Sequence, residues 1–361
     1  MSGKDLNLLR NQIDKIDKDI LKLIQKRANI AIKVGDIKNK TNPGKTLYKP
    51  ERESSILRNI LKSNEGPVSD ERIRVIYKEL ISACLSLEEG LKVGYLGPEG
   101  THSEAAVLDH FGSKINRIPN QTIDDVFYQV LNKEIDLGVV PVENSTEGVI
   151  NTTLNCLADN KDIYIGGEIF LNINHQLAAS KKLDIKNAIA IASHPQALGQ
   201  CNKWIDRNIG SIKRLEMSSS AEAAKYAKQN SNILCIVNSL AVSKYKLKVI
   251  KKNIQDYSEN KTRFLVIGRE KVSKTGNDKT SMLIQTENNP GALLGVLAPF
   301  DEKKINLSKI ETRPSRDNAN SHDFFIDCEG HQSDRKLKIV INKIKDSGAY
   351  VRLLGSYPEF L

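Results

Sequence analysis

Residues 6–38 read LNLLRNQIDKIDKDILKLIQKRANIAIKVGDIK, and the spacing of apolar residues in that stretch decides the fold of the amino-terminal end. Leu6, Ile13, Ile20 and Val34 hold one column of a seven-residue repeat, while Leu9, Ile16, Leu23, Ile30 and Ile37 hold a second. This is the pattern of a helix packed along a partner helix. Arg27 falls where the first column needs another aliphatic side chain. A guanidinium cannot shed its proton to escape burial, so in such a seam it needs an anion or access to water. Lys38 lies further along the same helix and, at about 100° per residue, within roughly 20° of the same face. Two cations looking one way point to a carboxylate ligand. The plainer alternative is that Arg27 sets the register of a coiled coil.

A helix from about Asp5 to Asn39 is roughly 50 Å long, too long to be covered by two short helices, so a second copy of the chain is expected along it. The loop Asn42-Pro43-Gly44-Lys45 ends it, Pro50 opens a second helix where its missing N–H costs nothing, and Ser69 or Asp70 caps a third. In the second helix, apolar stripes through Ile56 and Ile60, and through Leu57 and Leu61, begin at Arg52 and Glu53. In the third, the stripe Ile73, Tyr77, Leu80, Cys84 runs on to Glu88. Charge enters an apolar face in all three helices. That predicts a charged internal pocket, because isolated buried charges are costly. The alternative is helix ends dipping into solvent.

A chain of 361 residues suggests two or three domains. The net charge of +10 is spread along the sequence, and ten Tyr, eight Phe and one Trp leave little for base stacking, so no nucleic-acid partner is expected. A basic enzyme acting on acidic metabolites fits. Five cysteines show neither a Cys-x-x-Cys pair nor ligand spacing with the six histidines. Free thiols, no metal and a cytoplasmic location are expected. No apolar run is long enough for a bilayer, so no membrane partner is expected.

From residue 91 the period changes. Short apolar runs at Val93–Leu96, Leu137–Val140, Ala188–Ala192 and Ile233–Val237 alternate with helical stretches, which predicts α/β architecture with largely parallel strands. Polar turns follow the first three: Gly97 to Ser103, Pro141 to Ser145, and Ser193 to Gln196; a fourth, Ser218-Ser219-Ser220, precedes a helix. Each alone is an ordinary connection. Together they predict a ligand crevice at strand ends. After the polar stretch Lys271 to Lys279, segments at 281–286, 292–302, 306–312, 322–328, 336–345 and 350–355 read strand, helix, strand, strand, helix, strand, the order of a ferredoxin-like sandwich.

The stretches Leu9-Arg10, Lys26-Arg27, Val34 to Lys38, Pro50-Glu51-Arg52-Glu53 and Ile81 to Glu88 resemble the all-helical chorismate mutases, giving a domain at 1–90. The resemblance implies that Arg27 and Arg52 bind substrate carboxylates, with Cys84 beside them and Arg10 arriving from a partner subunit. It implies that Lys38 and Glu88 contact the ether oxygen and Glu53 the ring hydroxyl. Glu88 can donate only when protonated, so mutase turnover is expected to fall as pH rises. The polar turns, with Ala197 to Cys201 and Asn260 to Phe264, resemble prephenate dehydratases over 91–270. That implies two α/β lobes like those of periplasmic ligand-binding proteins, the second, at about 169–240, inserted in the first. Thr262 would help hydroxide leave, and Asn144, Ser145, Gln196 and nearby donors, Thr101 and Ser193 among them, would position substrate. Arg263 is either a carboxylate clamp or a structural salt-bridge partner. His102 stands where relatives often carry Phe, making the cleft mouth more polar; His175 and His194 receive no catalytic role.

Asn289 to Leu294, Ile310 to Pro314 and Leu354 to Pro358 resemble the ACT regulatory domain of the same dehydratases, at 279–361. There phenylalanine binds between subunits, which assigns Gly291, Ala292, Leu293, Glu311, Thr312 and Arg313 to an effector site. The whole implies a bifunctional enzyme of phenylalanine biosynthesis acting on chorismate and prephenate without a cofactor, as a homodimer or homotetramer. An arogenate dehydratase is the nearest alternative. A two-lobed amino-acid sensor without turnover is another, and Thr262 beside Arg263 argues against it.

Overall fold

Helix α1 (Gly3–Thr41) runs without interruption and is followed by α2 (Pro50–Lys62) and α3 (Asp70–Glu88). The computed structural model describes residues 3–41, 48–88, 90–315 and 320–359, so the loop Asn42 to Lys45 lies outside the described residues. Pro50 sits in the first turn of α2, and Ser69 O accepts from Ile73 N at 3.0 Å to start α3. Where α1 meets α3, Gly35 is buried and Ala28 and Ala31 are half-buried. Small residues let the two backbones approach. The seven-residue seam is not what covers α3: Ile13, Ile16, Ile20, Leu23 and Ile37 are 48 to 65% exposed.

The middle of the chain builds two sheets. The first lobe contains β1 (Lys92–Leu96), α4 (His102–Phe111), β2 (Asn116–Asn120), α5 (Ile123–Leu131), β3 (Leu137–Asn144), β4 (Gly148–Val149), α6 (Asn151–Asp159) and β5 (Tyr164–Asn172). The chain then crosses into a second lobe of β6 (Gln176–Ala179), β7 (Ala190–Ser193), α7 (Pro195–Gln200), α8 (Asn202–Asn208), β8 (Lys213–Glu216), α9 (Ser220–Gln229), β9 (Ile233–Val237), α10 (Ser239–Lys244) and β10 (Lys248–Lys252). It returns in β11 (Lys261–Gly268). The sheet orders are β2-β1-β3-β11-β5 and β10-β6-β9-β7-β8.

Two expectations need adjusting. The inserted lobe spans 176–252 rather than 169–240, because β5 pairs along its length with the returning β11 while β10 joins the second sheet. The sheets are mixed rather than largely parallel: β1 and β7 have parallel neighbours, but β11 runs antiparallel to both β3 and β5. A strand that returns from an inserted lobe re-enters the sheet from the opposite end.

The last unit comprises β12 (Asp278–Glu287), α11 (Ala292–Glu302), β13 (Leu307–Pro314), β14 (Ser321–Glu329), α12 (Arg335–Asp346) and β15 (Tyr350–Pro358), with antiparallel order β13-β14-β12-β15 and both helices packed on it. It is not hung on a loose tether. Leu283, Phe325, Leu354 and Tyr357 share one apolar cluster with Phe127, Leu157, Ile165 and Leu265 of the first lobe. At Gly355 the β15 backbone lies so close that a Cβ would sit 2.2 Å from Ile165 O. The helical unit docks as well. Tyr48 enters the core beside Val93 and Tyr95, Lys78 Nζ donates to Asp109 O at 2.9 Å, and Arg58 reaches Thr275 Oγ1 and Asn277 O at 3.0 and 2.9 Å.

Candidate active sites

A crevice of about 270 Å³ opens between the two lobes at the carboxyl ends of their strands, at the small end of the range for metabolite sites. Thr262, at the start of β11, is 8% exposed and stands opposite Asn144, at the end of β3. Asn144 Nδ2 donates to Thr262 Oγ1 at 2.8 Å. The orientation of that amide is set from its other side, since Asn144 Oδ1 accepts from Thr146 N at 3.0 Å and Glu147 N at 3.2 Å. With a lone pair of Thr262 occupied by a donor, its own O–H is left to donate elsewhere.

The support continues outward. Asn144 Nδ2 also reaches Asn260 Oδ1 at 2.9 Å, Asn260 Nδ2 donates to Gln200 Oε1 at 3.0 Å, and His175 Nε2 lies 2.8 Å from the same oxygen. Neither Gln200 nor Asn260 was assigned a role from sequence, although both stand inside quoted motifs. Thr101 lines the crevice as the cap of α4, its Oγ1 accepting from Glu104 N and donating to Leu96 O. Gln196 lines it at the start of α7.

Three expected contacts are placed elsewhere. Ser145 is exposed, with its hydroxyl donating toward Glu259 O at 3.3 Å and accepting from Lys261 N at 2.9 Å, so it braces the turn beneath the crevice. Ser193 is fully buried and donates to Ile236 O at 2.7 Å, beneath Ser220. Arg263 follows Thr262 in the same strand, and neighbouring strand residues face opposite sides. Its guanidinium lies in a buried cluster with Glu168 at 2.9 Å, Asp327 at 2.6 Å and Tyr357 at 3.0 Å. Of the two readings of Arg263, the salt-bridge partner holds and the carboxylate clamp does not. Lys279 completes the cluster, 2.6 Å from Glu168. Glu168, Asp327 and Tyr357 come from three separate strands, and nothing local in the sequence pairs them.

Within one chain the helical site is divided. Arg27 and Lys38 are half-buried and Cys84 is 4% exposed, with Arg27 Nη1 3.5 Å from Leu80 O where α1 crosses α3. Arg10 and Arg52 are exposed, and the side chain of Glu88 lies outside the described residues. Glu53 turns into a different cavity, lined by Tyr48, Arg74, Lys78, His110 and Glu168 and by no residue of α1. Burial there pushes its carboxyl up to about 7, against the opposing pull of Lys78 and a hydrogen bond from Tyr48. Burial likewise holds the His110 imidazole down to about 3.

In the terminal unit, Gly291 adopts φ +85° before α11, and Leu293 and Leu294 beside it are 42% and 69% exposed. Ala292 and Glu311 are half-buried and Thr312 is exposed. Arg313 does not stand open: it is bound to Asp323 at 3.2 Å, stacks over Phe325 and reaches Asn155 of the first lobe. It straps two domains together, so a free effector-binding guanidinium is not what the fold presents.

Residues 9–89 match the type II chorismate mutase family and residues 93–272 the prephenate dehydratase family. A bifunctional chorismate mutase/prephenate dehydratase of Pseudomonas aeruginosa is 42% identical over 363 aligned positions, covering 99% of both chains. One from Aquifex aeolicus is 41% identical with the same coverage. The crystal structure of a prephenate dehydratase from Arthrobacter aurescens, in complex with L-Phe, superposes with a TM-score of 0.68 at 29% identity, over 74% of this chain and 90% of its own. With both catalytic units matched in order and the likeness running end to end, the chain belongs to the bifunctional chorismate mutase/prephenate dehydratase family.

Proposed function

We propose that this protein rearranges chorismate to prephenate in its helical unit, converts prephenate to phenylpyruvate in the two-lobed crevice, and is restrained by L-phenylalanine at its terminal sandwich. The observation that carries the second activity is the Thr262 hydroxyl, held by Asn144 as a donor facing the crevice. In the dehydration the ring carboxylate leaves as CO2, its bonding electrons enter the ring, and the ring hydroxyl departs as water, taking one net proton from solvent. Aromatisation supplies the driving force, so the residues present need only orient the substrate and stabilise the departing oxygen.

The first step is pericyclic: the ether C–O bond breaks as a C–C bond forms, with no proton transferred. Arg27 and Lys38 suit it by holding carboxylates and stabilising charge at the ether oxygen. Arg10 and the uncovered seam on α1 support completion of this site by a second copy, giving a homodimer or a larger homo-oligomer. Among the described residues no helix is long and apolar enough to cross a membrane, which agrees with a cytoplasmic enzyme of soluble dianions. The exposed Gly291–Leu294 turn supports an effector site shared between subunits.

Purified protein given chorismate is expected to release phenylpyruvate, read by its enolate absorbance in alkali. Accumulation of prephenate alone would remove the dehydratase half of the proposal, and unchanged chorismate would remove the mutase half.

A further inference from the structure

Prephenate carries two carboxylates, yet among the described residues no lysine or arginine lines the crevice. Among the described residues its ionisable side chains are His102, His175 and His194. His194 caps α7 through Nδ1 and is half-buried at the mouth. The other two form an edge-to-face pair, ring centroids 5.7 Å apart at 80°. Each carries a buried nitrogen with no hydrogen-bond partner, His102 Nε2 and His175 Nδ1.

The tautomer of His175 follows from its neighbours. Gln200 Oε1 already accepts from Asn260, so His175 Nε2 must be the donor to it and Nδ1 must carry a lone pair. A buried lone pair without a partner beside a ligand crevice is a ready acceptor for a proton or a ligand donor. We propose that His102 and His175 supply the positive charge of the substrate complex: on entry of the dicarboxylate the pair takes up one proton from solvent, carried by the two adjacent imidazoles. This rests on the dehydratase reading above.

The surroundings agree. In the open crevice burial keeps both imidazoles neutral, His102 down to about 3 and His175 below its usual value. A dianion alongside reverses that balance, since an opposite charge within a few ångströms favours the charged form. Other charged groups on the enclosing elements are engaged elsewhere. Glu104 of α4 binds Gly100 N and Arg117, Glu143 of β3 binds Lys309, and Asp256 caps α8. Glu147 lies 3.4 Å from the Gln200 amide, and Lys261 of β11 is exposed.

The test is calorimetric titration of prephenate into the full-length Thr262→Ala protein at pH 7.5, in two buffers of different ionisation enthalpy, alongside kcat/KM profiles of otherwise wild-type enzyme. Uptake of about one proton is expected, with KM for prephenate rising about tenfold per pH unit from pH 6.5 to 8.5 while kcat stays level. His102→Phe and His175→Gln should each abolish the uptake and flatten the KM profile, an outcome that simple loss of packing does not produce. Turnover with no proton uptake and a level KM overturns the proposal alone. The same slope persisting in both histidine variants also overturns it. Absence of prephenate turnover at every pH overturns the dehydratase reading, and this proposal with it.

Discussion

A threonine hydroxyl is a weak acid, and Thr262 gains direction rather than acidity from its surroundings. Asn144 occupies one of its lone pairs, which leaves the O–H free to donate in the crevice that Thr262 lines. Thr262→Ala is expected to lower dehydratase kcat by about 10²–10³-fold, the usual cost of one preorganised donor, while the mutase rate stays unchanged; separate assays of chorismate loss and phenylpyruvate release check this. Parallel loss of both rates would mean that the two sites are not independent. Glu53 makes a pH prediction of definite sign. Its carboxyl is raised from 4.5 to about 7 in the fold, so the stability it contributes is full below about pH 4.5 and is lost as pH rises through 7. Wild type should therefore lose melting temperature relative to Glu53→Gln between pH 5 and 8, as followed by thermal denaturation. An unchanged difference would place that carboxyl in water.

At the scale of elements, α1 leaves its two aliphatic columns uncovered within its own chain. Small residues fit it to α3, while the aliphatic columns remain on the outside. If the proposed second copy covers these columns, Ile20→Glu should convert that homo-oligomer to smaller species in sedimentation analysis and abolish the mutase, leaving the crevice activity largely intact. Arg27→Leu restores an aliphatic to the seam, so it should keep or raise the melting temperature while mutase activity disappears. A destabilised Arg27→Leu protein would mean that Arg27 is a register device instead. The period-seven pattern made this helix legible from sequence, within two residues at each end. The order of strands and helices in the terminal sandwich was equally legible, because periodicity and turn chemistry are local.

Over the whole molecule, the buried cluster of Arg263, Glu168, Lys279, Asp327 and Tyr357 joins β11, the strand that carries Thr262, to the sheet of the terminal sandwich. Glu168→Gln leaves two buried cations short of a counter-charge and should destabilise by about 3–5 kcal/mol; denaturant titration measures this, and phenylalanine inhibition should weaken in the same variant. An unaltered midpoint would show that solvent reaches the cluster. The sequence alone determined the order of the helical, α/β and sandwich elements, the seam with its intruding Arg27, and the set of polar turns that surround the crevice. Thr262 and Arg263 are neighbours in strand β11 and so face opposite ways. Only the tertiary structure decided which of them meets the crevice, that the Ser145 and Ser193 hydroxyls are spent on backbone partners, and that His102 meets His175. Those outcomes depend on which distant strands and helices come into contact, and a side chain's partners are chosen by that contact rather than by its neighbours in the chain.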